Sequence, residues 1–470
     1  MDRNTTSSLP TTRRRFLKAA ATVTAFNIIP RHVLGGPGHV PPSEKVNIAF
    51  VGVGGKGTQN LHRVFAEADA QVIAIADPAS HFSLEGTYYG GVGGRDPARE
   101  LIETHYKKKT PNFHCAVYED FRIMLEKERS VDAIVCSTPD HTHAIVSVHA
   151  MRSGKHVYCE KPLTHNIWEA REVARISRET GLATQMGNQG HSTNGIRETV
   201  EWLQAGVIGA VREIQVWTAA KRWNPALTTR PTGSVPVPAG LNWDLWLGPC
   251  ESRDFHPAYF PVAWRDFWAF GGSGIGDFGC HDFDAATWAF DLPVPARIEA
   301  FGAGPMDQEI APHGCTVHYE FPARGRQPAI KLTYRDGGLK PPTPDVLERF
   351  PLPRRGILFL GDKGAIECDG AGGAPRLFPH SLRASFVKPA PTLARSGGHF
   401  REWLDACKGG APAAANFTYG AHLTEIALLG VLALRTGRRI DWNAEAMRAV
   451  GFPEADSIIR EPSRNGWLIA

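Results

Sequence analysis

Short apolar runs alternate with amphipathic stretches along the first third of the chain. The run at residues 46–51 (VNIAFV) has the composition of a buried parallel strand, and residues 58–65 can continue from it as a helix. Similar runs and helical stretches follow until about residue 162. This alternation predicts a doubly wound parallel sheet. The further elements predicted are strands at 71–77, 131–137 and 155–159 and helices at 144–153 and 168–180.

The pattern changes after residue 180. Strand-like runs there predict a large mixed, mostly antiparallel sheet, and the Pro-, Gly- and Thr-rich stretch at 223–240 predicts an extended excursion. Two late helices are expected at 399–407 and 421–438, of which the second is strongly apolar. The predicted strands of this half are 211–219, 298–302, 315–321 and 329–335.

Spaced glycines occupy the junction between the first strand and the first helix. Gly52, Gly54 and Gly57 stand in the order that a strand, a tight turn and a helix require, with Gly55 between them. Such glycines permit the turn, the approach of a pyrophosphate and close helix packing, and the helix N-terminus offers free N–H groups to phosphates. The glycine pattern alone is weak, because 48 of the 470 residues are glycine.

An acidic residue ends the second predicted strand. Asp77 follows Gly57 by twenty residues, a spacing that suits hydrogen bonds to a ribose diol and repels a 2′-phosphate. A surface aspartate at a strand end is the alternative. With the glycine turn, Asp77 predicts an α/β fold with an N-terminal Rossmann domain that binds NAD, with NADP less favoured. We assign residues 44–165 to that domain and 166–470 to an α+β substrate and oligomerisation domain.

The charge of the chain is concentrated at its start. The net charge is +4, and residues 1–43 hold six Lys/Arg and one Asp, so the remainder is about neutral. This distribution argues against a nucleic-acid or anionic-membrane partner. A length of 470 residues predicts two or three domains.

The basic leader fits a targeting signal. Residues 12–18 (TRRRFLK) match the twin-arginine pattern, and the mildly apolar stretch at 19–29 is too short to span a bilayer of roughly 30 Å. Residues 1–43 are therefore predicted to be an export signal and linker, which places the protein in the periplasm or otherwise outside the cytoplasm. A disordered basic arm is the alternative. No later stretch is expected to reach transmembrane length.

The eight cysteines are widely spaced and include no C-x-x-C pair. A zinc site or a disulfide scaffold is therefore not indicated, and we predict no metal. Cys136 and Cys159 lie in apolar runs and are expected to behave as core residues. The spacing leaves open that one or two disulfides form after export.

Two stretches carry candidate chemistry. Glu160-Lys161-Pro162 closes a predicted strand, where a lysine can stabilise a developing alkoxide; a solvated turn is the alternative. Asp277, His281 and Asp284 have the spacing of one helical stripe after two glycines, and a histidine beside carboxylates suits a general base. A capping aspartate and a core histidine would explain the same residues about equally well.

Together these motifs resemble the family of glucose–fructose oxidoreductase, inositol dehydrogenase and the MocA-type proteins (Gfo/Idh/MocA). The resemblance covers nearly the whole chain from about residue 46, and the leader resembles the exported branch. It implies that Lys161, Asp277 and His281 are the catalytic residues. It also implies a cofactor site that combines the segment beside the nicotinamide ribose with the glycine turn: Gly52, Gly54, Gly55, Gly57, Asp77, Ser137, Thr138, Pro139, His143, Glu160 and Lys161. Asp140-His141 is a local variation on the family pattern.

Polar residues after 186 are candidates for substrate binding. Asn188, Gln189 and His191 suit hydrogen bonds to a sugar or to the nicotinamide end, and Asp284 joins them as a candidate. A polar turn without a ligand is about as consistent. The aromatic residues of 243–268 offer stacking faces for a pyranose, although core packing or a subunit interface explains most of them more simply.

The resemblance implies an NAD-dependent oxidoreductase acting on a secondary hydroxyl of a sugar or cyclitol. Export would require tightly bound NAD that is recycled inside the site. One alternative is a redox-neutral glycoside hydrolase or lyase that passes through a keto-sugar, and a second is a non-catalytic sugar-binding protein. Relatives commonly pair through the open face of the second sheet, so a homodimer or homotetramer is expected.

Overall fold

A computed structural model describes residue 41 and residues 44–469, and from Val46 onward the chain forms one compact unit. The export signal predicted at residues 1–43 lies almost entirely outside the described residues. The elements of the first part alternate as the apolar pattern predicts. They are β1 (Val46–Val51), α1 (Gly55–Phe65), β2 (Ala70–Ala76), β3 (Phe82–Ser83), β4 (Val92–Gly93), α2 (Arg95–Lys107), β5 (Ala116–Tyr118), α3 (Phe121–Lys127), β6 (Ala133–Cys136), α4 (His143–Arg152), β7 (His156–Glu160), α5 (Ile167–Thr180) and β8 (Thr184–Gly187).

Six of these strands form a parallel sheet in the order β5-β2-β1-β6-β7-β8. The glycine turn after β1 therefore lies at the centre of the sheet, beside the ends of β2 and β6, where open α/β folds bind ligands. The sheet continues past the boundary that we predict at residue 165, because β8 adds a sixth strand at Thr184–Gly187. Before β8, α5 starts with a capping box of Asn166 and Glu169 and ends at Gly181 in the left-handed conformation.

The second part contains a larger sheet. Its elements are α6 (Asn194–Gln204), β9 (Val211–Trp217), α7 (Trp243–Leu247), α8 (Ser273–Asp282), α9 (Asp284–Phe290), β10 (Arg297–Ala303), β11 (Gly314–Phe321), β12 (Ile330–Arg335), β13 (Gly356–Gly361), β14 (Ala365–Cys368), β15 (Arg376–Phe378), α10 (His380–Ala384), α11 (His399–Cys407), α12 (Phe417–Thr436), β16 (Ile440–Asn443), β17 (Arg448–Ala449) and α13 (Asp456–Ile459).

Nine strands pair in the order β15-β14-β13-β9-β12-β11-β10-β16-β17. Only β9 and β12 run parallel, and every other pair is antiparallel, so the sheet is mixed and mostly antiparallel as predicted. Residues 223–240 form no helix or strand, in keeping with the predicted excursion.

Late helices bind the two parts together. α11 packs on the parallel sheet through Phe400 and Trp403, and the ring of Phe400 stacks on Tyr158 of β7 with centroids 4.4 Å apart. α12 packs against α5, α8 and β10. At 20 residues with a mean hydropathy of 1.4, α12 is long and apolar enough to cross a membrane, contrary to our expectation that no later stretch would be. Because 83% of its apolar window is buried within the protein, it serves here as a core helix.

A close approach at Gly430 in α12 provides a test of this packing. A Cβ at that position would lie 2.2 Å from the Tyr319 hydroxyl oxygen and 2.6 Å from Ile275 Cδ1, both of them buried. We expect Gly430→Ala to lower the free energy of unfolding by about 1–3 kcal/mol in urea titrations, because overpacking outweighs the better helix propensity of alanine. The control Val387→Ala, at a side chain that is 86% exposed, should stay within about 0.5 kcal/mol. A variant at least as stable as the parent would contradict the packing described.

Candidate active site

A cavity of about 720 Å³, called the central cavity here, lies where the carboxyl ends of the parallel strands face α8. It includes most of the residues that sequence analysis selects. The lining residues among them are Gly52, Gly54, Gly55, Asp77, Ser137, Thr138, Pro139, His143, Glu160, Lys161, Gln189, Asp277 and His281. Its size is that of a cavity that encloses a small-molecule ligand or cofactor.

The glycine turn leaves no room for side chains. Gly52 has φ +82°, and a Cβ there would lie 2.8 Å from backbone atoms of Ser137 and Thr138. A Cβ at Gly57 would lie 2.2 Å from the Gly52 carbonyl oxygen, so Gly57 serves packing rather than lining the cavity. α1 then starts with no side-chain cap and no acid in its first turn. Its free N–H groups suit the phosphates of a dinucleotide, so the turn fits NAD.

Asp77 is held against this turn. Its Oδ2 accepts a hydrogen bond from Val53 N at 2.9 Å and its Oδ1 accepts one from Ala79 N at 2.9 Å. Burial raises the pKa of Asp77, and the two backbone N–H groups oppose that change. The carboxyl group lies at the end of β2 on the cavity wall, where a ribose diol would reach its remaining lone pairs.

His143 connects two turns rather than standing free in the cavity. Its Nδ1 lies 2.6 Å from the Pro162 carbonyl oxygen and its Nε2 lies 2.9 Å from that of Thr138. The histidine thus ties the turn after β6 to the turn after β7, both of which line the cavity.

Glu160 gathers the polar groups around the end of β7. Its Oε1 accepts hydrogen bonds from Asn60 Nδ2 at 2.9 Å and Gln189 Nε2 at 3.1 Å, and Lys56 Nζ approaches to 3.6 Å. Asn60 Nδ2 also donates to Ser137 Oγ at 3.0 Å. Glu160 therefore joins the start of α1 to the substrate side, and Gln189 is the one predicted substrate residue that lines the cavity.

Lys161 and Asp277 form a buried ion pair between the two parts of the chain. Lys161 Nζ donates to the Asp277 backbone oxygen at 2.8 Å and to its Oδ1, and the Lys161–Pro162 peptide bond is cis. Burial would raise the pKa of Asp277, but the Lys161 ammonium and the Arg265 guanidinium hold it well below its ordinary value. Burial would lower the pKa of Lys161, and Asp277 raises it instead. Both groups stay charged at neutral pH.

His281 lies one helical turn after Asp277 on α8. Its Nδ1 is 2.5 Å from Asn188 Oδ1. The Asn188 Nδ2 donates to the Cys280 carbonyl oxygen at 3.1 Å and to Asp284 Oδ2 at 2.8 Å, so the amide oxygen must face the histidine. His281 therefore carries its proton on Nδ1 and leaves the Nε2 lone pair for the cavity. Burial, then Lys161 and Arg355, lower the pKa of His281 well below 6.5.

Three residues predicted to bind substrate do not reach the cavity. The stripe predicted for Asp277, His281 and Asp284 is interrupted, because α8 ends at Asp282 and Asp284 starts α9. Asp284 is 1% exposed and accepts hydrogen bonds from Asn188 and the Tyr419 hydroxyl group. His191 Nδ1 lies 2.9 Å from Asp284 Oδ1, in the same buried network. Asn188, His191 and Asp284 therefore form a buried hydrogen-bond network that holds the His281 imidazole in place.

Several cavity residues carry no spacing signal in the sequence. Arg265 lies with its Nε 3.5 Å from Asp277 Oδ1 and its guanidinium over the Trp264 ring at 4.1 Å. The Tyr88 ring packs on Trp223, with centroids 5.6 Å apart. Of the aromatic residues considered for sugar stacking, Trp246 and Trp264 line the cavity, and the six lie mainly in the core: Trp243, Trp246, Tyr259, Trp264, Phe267 and Trp268.

Cys136, His143 and Cys159 place ligand-type atoms within 4.8 Å of one another. The imidazole is already engaged on both sides by backbone carbonyl groups, so this cluster does not suit a metal ion. Each of the eight cysteines is unpaired in the described residues.

The chain is similar to known proteins in sequence and in fold. The chain is 28% identical over 191 residues to the inositol 2-dehydrogenase of Rubrobacter xylanophilus (40% of this chain, 48% of the relative). It is 26% identical over 183 residues to glycosyl hydrolase family 109 protein 1 of Akkermansia muciniphila (38% of this chain, 34% of the relative). The matched part thus spans less than half of each relative. An NAD-binding protein from Listeria innocua shares the fold, with a TM-score of 0.56 at 16% identity over 85% of this chain and 100% of its own.

Two family models match consecutive parts of the chain and together cover more than half of it. Residues 46–188 match the NAD-binding Rossmann fold of an oxidoreductase family, and residues 199–307 match the C-terminal alpha/beta domain of the same family. The chain belongs to the Gfo/Idh/MocA oxidoreductase family.

Proposed function

We propose that this protein is an NAD-dependent oxidoreductase that acts on a secondary hydroxyl group of a sugar or cyclitol. One observation carries the proposal: Lys161, Asp277 and His281 meet on the wall of the same cavity that the glycine turn lines. The similarity to inositol 2-dehydrogenase over 40% of the chain supports a polyhydroxylated substrate.

The charge states divide the chemical roles among the three side chains. NAD, when bound, supplies the acceptor for the hydride of the substrate carbon. Lys161 is protonated and can stabilise negative charge that develops on the reacting oxygen. Lys161 and Arg265 hold Asp277 as a carboxylate, and the role of Asp277 is to hold Lys161, to which its oxygen is already hydrogen-bonded. The neutral His281, with Nε2 free, takes the hydroxyl proton.

Tight retention of NAD is part of the proposal, because a cofactor lost after export would not be replaced. Export itself is inferred from residues 12–18, which lie outside the described residues. Aromatic rings over the glycine turn support slow release. A Cβ at Gly54 would lie 3.1 Å from Phe82 Cζ, and one at Gly55 would lie 2.2 Å from Tyr89 Cγ, so two rings cover the turn.

A retained cofactor must be restored within the site, and two outcomes are open. A second sugar can restore it, giving a sugar–sugar oxidoreductase. Alternatively, oxidation of one carbon acidifies the neighbouring C–H, a leaving group is eliminated, water adds and the carbonyl is reduced again, giving net glycoside cleavage. The similarity to a family 109 glycosyl hydrolase favours considering this second outcome.

Pairing of two or four copies through the second sheet also stays a proposal. Phe301 on β10 is 56% exposed, and an apolar side chain on an open sheet face is suited to an interface between copies.

Nucleotide content provides the first test. Protein purified without added nucleotide should release close to one NAD or NADH per chain on denaturation, measured by chromatography and mass. Gly57→Ala should release little, because its Cβ would displace the Gly52 carbonyl oxygen. Gly397→Ala, at an exposed glycine without a positive φ, is the matched control and should match the parent. Parent protein that is empty and binds NAD weakly would overturn retention.

Removal of the base should separate binding from chemistry. We expect His281→Ala to retain its nucleotide and to lose turnover on sugars, sugar pairs and glycosides by about 100-fold or more. Asn188→Leu should lower kcat by a smaller factor with little change in KM, since the imidazole stays but its orientation is released. Products of the parent distinguish redox exchange between sugars from glycoside cleavage. Full activity of the alanine variant would contradict the assignment, and saturable sugar binding without turnover in the parent would favour a non-catalytic binder.

The pH dependence of the rate should show that His281 is unprotonated at neutral and mildly acidic pH. The active form of His281 is unprotonated, and its pKa lies well below 6.5 because of burial and the cations Lys161 and Arg355. The rate should therefore be constant from neutral pH downward and fall only as the pH drops through that lowered pKa. A plot of kcat/KM against pH, with nucleotide content checked at each point, tests this. An acid limb at or above 6.5 would contradict it.

A further inference from the structure

Arg265 differs from the other buried arginines of the described chain. Arg222 donates to the carbonyl oxygens of Leu227, Pro305 and Ala311, so its guanidinium is committed to structure. Arg265 lies on the cavity wall with its side chain 16% exposed. Its Nε is buried without a hydrogen-bond partner, as is that of Arg222, but no residue within 44–469 accepts a hydrogen bond from its terminal nitrogens either. A buried guanidinium left in this state has unused donors that a ligand can satisfy.

The carboxylates near Arg265 stabilise its charge but leave its hydrogen-bond donors unused. Its Nε is 3.5 Å from Asp277 Oδ1, but that oxygen already accepts a hydrogen bond from Lys161 Nζ. Asp266 is committed to the backbone N–H groups of Trp223 and Asn224, at 2.8 and 2.7 Å. Burial raises the pKa of Asp140, the other acid near this cluster, and the charges of Arg265 and Lys161 oppose that change. Lys161 and Arg265 therefore share the Asp277 carboxylate, and only Lys161 is hydrogen-bonded to it.

The geometry of Arg265 selects the shape of its ligand. The guanidinium lies over the Trp264 ring at 4.1 Å, and the backbone behind it packs against Gly271, where a Cβ would lie 2.9 Å from Arg265 Cα. The stacked plane is thus held in place, and its edge offers parallel N–H donors. Such an edge matches a planar carboxylate with two hydrogen bonds.

We infer that the substrate is an acidic sugar, a hexuronic acid or its glycoside, whose carboxylate binds Arg265 next to the hydroxyl group held at Lys161 and His281. This inference rests on the proposed oxidoreductase function and names the substrate class for the same site. A role for Arg265 only in neutralising Asp277 would duplicate what Lys161 already does.

Matched sugars test the inference on the protein with its retained nucleotide. Methyl glucuronide and methyl galacturonide are compared with the methyl glucoside and galactoside, and with hexose 6-phosphate and 6-sulfate, by the absorbance of the reduced nicotinamide and by product analysis. The uronides should react with kcat/KM about 10- to 100-fold above the neutral glycosides, as expected for a charge-assisted hydrogen-bonded pair. Preference for the phosphate or sulfate esters would overturn the carboxylate assignment.

Variants at Arg265 separate binding from structural roles. Arg265→Met keeps an apolar stem on Trp264 and should raise KM for the uronide about 10- to 100-fold, collapsing the preference over neutral sugars. Arg265→Lys should recover part of the preference for the uronide. The matched control is Arg376→Met, because Arg376 also lies over an aromatic ring, Phe350 at 5.3 Å, but outside the cavity. This variant should change neither the KM for the uronide nor the preference over neutral sugars.

The outcomes are distinguishable from failure of the proposed function. Turnover of neutral sugars equal to or above that of uronides would overturn the inference and leave the oxidoreductase intact. An equal fall of kcat for both sugar classes in Arg265→Met, with KM unchanged, would show a structural role and also overturn it. No nucleotide change and no product with any sugar would remove the proposed function itself.

Discussion

The buried ion pair between Lys161 and Asp277 is the contact on which the site depends. It joins the end of β7 in the parallel sheet to the first turns of α8 in the second part. A lone buried ammonium or carboxylate would lose its charge, whereas the pair keeps both groups ionised inside the protein. The ion pair therefore forms only when the two parts of the chain are packed in this relative position. That requirement agrees with one compact unit from Val46 onward and with late helices that pack on both parts.

Around this pair, buried polar groups are arranged so that orientation comes from fixed partners rather than from free side chains. Glu160 collects donors from α1 and from the segment after β8, and His143 ties two cavity turns together. Asn188 connects Asp284 to His281 and determines which imidazole nitrogen faces the cavity. Residues buried behind the cavity thus decide the tautomer and position of a side chain that lines it, as in other sites where supporting hydrogen bonds orient a reacting group.

Sequence reasoning was sufficient wherever function follows from backbone geometry. The glycine turn, Asp77 and the end of β7 occupy predicted positions because a parallel strand, a tight turn and a helix leave few alternatives for their arrangement. It was insufficient where a helix ends inside a motif: Asp284 has the spacing of the α8 stripe, yet the helix stops at Asp282 and a second one begins. Arg265 had no spacing to identify it, since its importance comes from Trp264 beneath it and Asp277 opposite. The 20-residue apolar helix α12 shows the same limit, because only its packing separates a core helix from a membrane span.

The two cations that approach Asp277 Oδ1 differ in their surroundings, because Lys161 is hydrogen-bonded to Asp277 and Arg265 is not. Stabilisation that is equal for bound substrate and transition state improves binding without accelerating the reaction, whereas stabilisation of charge that appears only during the reaction lowers the barrier. Lys161 follows β7 and lines the cavity with His281, where the reacting oxygen of the proposed substrate would gain negative charge as its proton leaves. Arg265 lines the cavity beside Asp277, and the carboxylate of the inferred acidic sugar would be charged before and after the reaction. In the proposed reaction the lysine would therefore affect kcat and the arginine the choice of substrate, with the Asp277 carboxylate shared between them.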